Sequence, residues 1–385
     1  MMKIYLDNAA TTGVYPEVAK LMENVMVFDY GNPSSRHMMG VIAEEYIKEA
    51  KNSFAGQMKV KQKEIIFTSG GTESDNLAII GAARAAARRG KHLITTCIEH
   101  PAVYNAFAYL EEEGFLVTYL SVDEKGQIDL LELADALRED TILVSIMHVN
   151  NEIGTMLQVA KAGEIIKNYN SSIVFHIDGI QAYGKIPVYP ARLHADLYSI
   201  SGHKFHGPKG IGVLYKREGL RILPILYGGG QQQDLRSGTE NVPGIAGIGL
   251  ASCLMYQNHS EKLAFAQENK KRLISGIQKI ENTVIHGSTD EEGTPYIVSA
   301  GFKGIKGEVL LHALEEQGIY VSSGSACASN HPAISGVLKA IGAKDEFLDS
   351  TIRFSFSEFN TTEEINATLD CLYNIVPMLR KYTRH

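Results

Sequence analysis

A chain of 385 residues, 44% hydrophobic and 21% charged, has the composition of a soluble globular protein with room for two or three domains. Its formal net charge of −7 gives no basic footprint for nucleic acid, and its longest apolar run, residues 141–149, is far short of the roughly 18 residues that span a membrane. The opening MMKIYLDNAATTGVYPE lacks the apolar core of a secretory signal, and Cys97, Cys253, Cys327 and Cys371 are scattered without a CxxC pair, which predicts a reducing, cytoplasmic setting and no metal site.

β-rich runs alternate with helical patterns over the first 250 residues. A strand at 64–67 precedes a helix at 74–89, and strands at 92–96 and 115–120 flank a helix at 102–113. A buried-type strand at 141–148, a helix at 163–169 and strands at 172–177 and 197–201 follow. The alternation predicts an α/β fold with a mostly parallel sheet and helices on both faces, where ligands sit at the carboxyl ends of strands. Residues 228–243, rich in Gly and Gln, read as a loop, and 246–280 read as helical. Strands at 294–301 and 351–356 and a helix at 307–317 complete the chain, with a domain change at 250–265. This divides a large domain, residues 1–255, from a smaller one, residues 256–385, with the first residues, 1–12, packing onto the smaller.

Six constellations carry chemistry. Thr68-Ser69-Gly70-Gly71-Thr72-Glu73 joins a strand to a helix: it is either a phosphate cradle at a helix N-terminus or an ordinary turn with a good N-cap. Asp178, at a strand end with Gln181 three residues on, suits a protonated ring nitrogen, or else is an Asp in a turn before Gly179. Lys204, in Ser201-Gly202-His203-Lys204, is a candidate Schiff-base former at a strand end, although a lone lysine is usually a solvated surface residue. Together the anion loop, the strand-end Asp and the strand-end Lys point to pyridoxal 5'-phosphate. His100, in Glu99-His100-Pro101, suits stacking on a flat cofactor and proton transfer, or helix capping. Cys327, in the Gly/Ser-rich stretch Ser322–Ser329, is a candidate nucleophile or an inert thiol. Arg353, amid apolar residues, either binds a substrate carboxylate or makes a structural ion pair.

The ordered motifs YLDNAATT, FTSGGTESDNLAI, EHPAV, HVNNEIGT, HIDGIQAYGKIPV, DLYSISGHKFHGPKGIGVLY, RSGTEN, SSGSACAS and IRFSF resemble those of the cysteine desulfurases. These are the NifS/IscS-like first group, within the class V aminotransferase family of fold-type I pyridoxal-phosphate enzymes. The resemblance implies a large domain with a mostly parallel seven-stranded sheet flanked by helices, and a smaller α+β C-terminal domain. It implies that Lys204 carries the cofactor, Asp178 pairs with its ring nitrogen, Gln181 with its ring hydroxyl, and His100 stacks on the ring. Gly71, Thr72, Ser201 and His203 would hold the phosphate, as would Thr239 toward the cofactor of a neighbouring subunit in a homodimer. Asn151, also near the cofactor, and Arg353 would orient the carboxylate of L-cysteine, with Asn32 as a further candidate. Cys327 would take the sulfur as a persulfide, leave alanine, and pass the sulfur to an acceptor protein in iron–sulfur cluster assembly, tRNA thiolation or thio-cofactor synthesis. A selenocysteine lyase, or another lyase or aminotransferase of this fold, is the alternative. After Cys327 the chain reads ASNHPAISGVLKAIG, where the family pattern is nearer TSxSLEPSxVLRAxG, so the acceptor stays open.

Overall fold

The computed structural model describes residues 3–290, 292–323 and 335–382. In chain order its strands are β1 (Ile4–Tyr5), β2 (Ile65–Thr68), β3 (His92–Thr96), β4 (Leu116–Leu120), β5 (Thr141–Met147), β6 (Val174–Asp178), β7 (Leu197–Ser201) and β8 (Gly212–Lys216). They continue as β9 (Thr283–His286), β10 (Ile297–Phe302), β11 (Ile319–Tyr320), β12 (Ser322–Ser323) and β13 (Thr351–Ser355).

β3, β5, β6 and β7 are buried along their whole length, as strands must be when helices cover both faces of a sheet. They form the centre of a seven-stranded sheet of order β2-β8-β7-β6-β5-β3-β4, parallel from β7 to β4. β8, which lies outside the predicted strands, runs antiparallel to both β7 and β2. Polar side chains inside the sheet find one another: Ser145 Oγ lies 2.8 Å from His176 Nδ1, and Ser199 Oγ lies 2.9 Å from His176 Nε2. Burial holds the His176 pKa down at about 3, so this ladder is neutral.

The first helix after β2, Gly71–Ala86, begins three residues before the predicted start. Its first turn uses Gly71, where a Cβ would lie 2.3 Å from Ile180 Cδ1, so the helix N-terminus presses against the loop that follows β6. The stretch predicted as one helix from 246 to 280 is two helices, Val242–Tyr256 and His259–Ile277. Asn258 breaks them with φ 51°, a left-handed conformation that Asn tolerates better than most residues. Val242–Tyr256 is buried, and Gly249 lets Ala50 of helix Met38–Met58 come so close that a Cβ would lie 2.7 Å from its Cα.

β9, β10, β12 and β13 form a four-stranded antiparallel sheet, and β1 pairs in parallel with β11. Ile4 and Leu6 share a core with Val298, Phe302, Phe354 and Leu372, separate from the clusters under the large sheet. The N-terminal arm therefore belongs to the C-terminal layer, and residues 7–12 run from there to the segment after β7, where Thr12 N donates to His203 O (2.9 Å).

Gly212 sits between two loops that matter below. It pairs with Thr68 on one side and Ser201 on the other, and a Cβ there would lie 2.6–2.8 Å from backbone atoms of Gly70. Backbone cannot swing away as a side-chain end can. Gly212→Ala is therefore expected to cost about 1–3 kcal/mol, read as a lower urea midpoint. Gly13→Ala, where a Cβ meets nothing within 4 Å, is expected to change little. Equal stability of the two variants would contradict this packing.

Candidate active site

β5, β6 and β7 point their carboxyl ends the same way, and the segments that follow them enclose a cavity of about 250 Å³. Lys204 enters it from a single 3₁₀ turn, Gly202–Lys204, directly after β7. Its Nζ donates to the carbonyls of Ala9 (2.8 Å) and Ala10 (2.9 Å), so the ammonium is held against the N-terminal arm.

Asp178 ends β6, is 5% exposed, and accepts a hydrogen bond from Ile180 N (2.9 Å). Burial pushes its carboxyl up to about 6, against the pull of Lys204. Two further acids lie nearby. Glu99 accepts from Thr96 Oγ1 (2.7 Å) and Met147 N (3.0 Å), and burial, with the charge of Asp178 adding to it, raises it to about 8. Asp75 is fully buried, 3.7 Å from His176 Nε2, and is raised well above its ordinary value by burial and then by Asp178. Of these three acids, Asp178 is the one that lines the cavity.

His100 caps the helix Pro101–Glu112: its Nδ1 accepts from Ala102 N (3.1 Å), which places the ring proton on Nε2. Burial, then Lys204, lowers its pKa to about 4. His203, 3.2 Å from Thr11 Oγ1 through Nδ1, falls to about 4 by burial and then the charges of Lys204, Lys209 and Lys185. Both imidazoles are neutral at pH 7.

An anion has donors at one end. Thr72, Ser201 and His203 line the cavity beside the N-terminus of Gly71–Ala86, where first-turn N–H groups lack intrahelical acceptors. At Arg353 the sequence left two readings, and the geometry contains both. Nη1 donates to Asn151 O (2.8 Å) and Nη2 to Asp7 Oδ1 (3.0 Å), yet Arg353 and Asn151 also line the cavity. Arg353 Nε is buried without a hydrogen-bond partner among the described residues.

Gly71, Thr72, His100, Asn151, Asp178, Gln181, Ser201, His203, Lys204 and Arg353 thus meet in one cavity. Thr239 does not: it lines a second cavity of about 200 Å³ with Ser69, Gly210 and Arg236. Asn32 is exposed, its Oδ1 accepting from Ser34 N (2.9 Å) in a turn, and is absent from the cavity lining. Cys327 lies outside the described residues. Sequence reasoning passed over the carbonyls of Ala9 and Ala10, which no side-chain pattern marks, and the acids Asp75 and Glu99. It also passed over Lys185, whose signal was its place four residues after Gln181.

The donor set fits pyridoxal phosphate: an ionisable carboxylate for the ring nitrogen, an amine at a strand end, a neutral imidazole, and anion donors at a helix N-terminus with no Cβ on Gly71.

The family model for class-V aminotransferases matches residues 4–368. The cysteine desulfurase IscS of Methanosarcina thermophila is 44% identical over 377 residues, 98% of this chain and 93% of that protein. The IscS of Salmonella paratyphi B is 45% identical over 384 residues, 98% of this chain and 94% of that protein. Among solved structures, a NifS-like protein superposes with a TM-score of 0.93 at 38% identity, covering 98% of this chain and all of that one. SspA in complex with cysteine gives a TM-score of 0.80 at 33% identity, covering 94% of this chain and all of that one.

The depressed pKa of His100 has a direct readout. In histidine-labelled protein, its ring signals are expected to hold steady from about pH 8 down to 5.5 and to titrate near 4. A midpoint near the ordinary value of about 6.5 would contradict the buried, neutral imidazole.

Proposed function

The chain belongs to the class-V aminotransferase family and, within it, to the cysteine desulfurases, and from that premise we propose that Lys204 anchors pyridoxal 5'-phosphate and Cys327 takes the sulfur. The observation that carries the reading is the convergence of Lys204, Asp178 and His100 on one buried cavity.

Asp178 would hold the protonated ring nitrogen and Gln181 the ring hydroxyl, while Thr72, Ser201, His203 and the Gly71 helix N-terminus would hold the phosphate. When bound, the cofactor supplies an electron sink conjugated to the substrate α-carbon. Asp178 would keep that nitrogen protonated because it is the carboxyl that lines the cavity.

The protein's own groups do the rest. Arg353 orients the carboxylate of L-cysteine, helped by Asn151, and Asp7 fixes the guanidinium that does so. Lys204 and His100 move protons; His100, neutral with its proton on Nε2, can give that proton and take another. In the overall exchange the Cβ–S bond of L-cysteine breaks and an S–S bond forms at the Cys327 thiol. Alanine leaves with a C–H bond where the C–S bond was, and Cys327 keeps the sulfur as a persulfide. The sulfur then passes to an acceptor protein, an iron–sulfur scaffold or a tRNA-thiolation enzyme, in the cytoplasm.

We also propose a homodimer. Thr239 lies outside the cavity of its own chain, where it is free to serve the cofactor of a second copy. An exposed apolar stretch that includes Phe28 (69%), Tyr30 (69%) and Met38 (71%) is the kind of surface a second copy covers.

The test is alanine release from L-cysteine by protein reconstituted with pyridoxal phosphate. Lys204→Ala is expected to lower it at least about a hundredfold, and Cys327→Ser to abolish persulfide formation. Full turnover in Cys327→Ser would refute the thiol's role, and a protein that cannot be reconstituted would refute the cofactor.

A further inference from the structure

Lys185 is one of the few buried lysines, 4% exposed, and the mechanism above leaves it unused. It lies on the turn that follows β6. Ala182 N and Tyr183 N both donate to Gly179 O, and Lys185 N and Ile186 N both donate to Ala182 O. Two successive turns thus carry the chain from Gln181 to Lys185.

Gly184, at φ 80°, redirects the chain between them. A Cβ there would lie 2.9 Å from both Phe205 Cβ and Met255 Cγ, so glycine is required for conformation and for space. The turn is fastened from behind. Gly184 N donates to Tyr256 Oη (3.2 Å), Tyr256 Oη donates to Ile186 O (3.2 Å), and His259 Nε2 lies 3.1 Å from Gly184 O. Lys185 is thus held at a fixed place and does not reach water.

Its Nζ donates to Gln181 Oε1 at 2.8 Å. The Lys185 amine gives an N–H in this bond, which it can do charged or neutral, and when charged it has no acceptor to offer a reversed amide, so the bond favours the Gln181 carboxamide with Oε1 toward it. With Oε1 turned to Lys185, Nε2 faces the N-terminal arm and donates to Ala9 O (2.9 Å), the carbonyl that also accepts from Lys204 Nζ. Were the amide reversed, two N–H groups would face the Lys185 donors and a carbonyl oxygen would face Ala9 O, leaving buried groups unpaired at both ends.

We propose that Lys185 is a positioning residue that locks the Gln181 carboxamide with its N–H donors toward the cavity, and thereby sets affinity for the pyridoxal ring hydroxyl. The inference rests on the reading that Gln181 contacts that hydroxyl. The surroundings agree with a held, costly group. Burial, then the charges of Lys204 and Arg353, push the Lys185 amine down to about 7.

The experiment is a double-mutant cycle on the dissociation constant of pyridoxal phosphate from the full-length apoenzyme, with thermal unfolding of each apoprotein as the folding control. Lys185→Met and Gln181→Leu are each expected to weaken binding about tenfold, the size of one hydrogen bond. The double variant is expected to be no weaker than Gln181→Leu alone, because Lys185 acts only through Gln181. Fully additive losses, or unchanged binding in Lys185→Met, would overturn the inference and leave the role of Gln181 standing. Unchanged binding in Gln181→Leu would overturn that role, and the inference with it. If Lys185→Met does not fold, Lys185→Leu runs the same cycle and must show the same non-additivity.

Discussion

Burial of ionisable groups at the carboxyl edge of β5, β6 and β7 is the constraint on which the rest depends. A parallel sheet covered on both faces offers little polarisable surroundings, so every charge placed there needs a partner or gives up its charge. His100 and His203 give it up and stay neutral, and Asp75 and Glu99 are held toward their protonated forms. Asp178 and Lys204 remain as the opposed charges, and Lys204 needs the Ala9 and Ala10 carbonyls to stay in place. A site built this way suits the proposed cofactor, whose cationic ring nitrogen would meet Asp178 and whose phosphate would meet the opposite donors.

That constraint also explains the N-terminal arm. Residues 9 and 10 supply carbonyls to Lys204 and Gln181, Asp7 holds Arg353, and Ile4 and Leu6 are buried in the C-terminal core. The arm therefore couples the small layer, which carries Arg353, to the large one, which carries Lys204. Tyr15 adds a second tie, donating to Glu358 (2.6 Å), which in turn pairs with Lys262 (2.7 Å). Arg353 and Lys204, proposed to hold substrate and cofactor, are tied to each other through these joints.

The parallel core was legible because β3, β5, β6 and β7 are short β-rich runs that alternate with helical patterns, and strand ends in such sheets are where ligands gather. Lys204, Asp178 and Gln181 were legible for the same reason, since each follows such a run. β8 was not, because a five-residue strand between a Gly/Pro-rich loop and a charged turn carries no periodicity to separate it from loop. Nor was the break at Asn258, where one residue's tolerance of positive φ divides a continuous helical pattern. Lys185 is the instructive omission: a lysine in sequence reads as solvent-exposed, and only the Gly184 turn brings it inward. Thr239 and Asn32 entered the reading through resemblance alone, and one chain by itself does not bring either to the cavity.

The most direct test of the central claim is to treat the pyridoxal-phosphate-reconstituted protein with borohydride, digest it, and locate the pyridoxyl group by peptide mass spectrometry. This account predicts the label on Lys204 and its absence from Lys185 and Lys209. Label on either of those lysines, or on none, would contradict it.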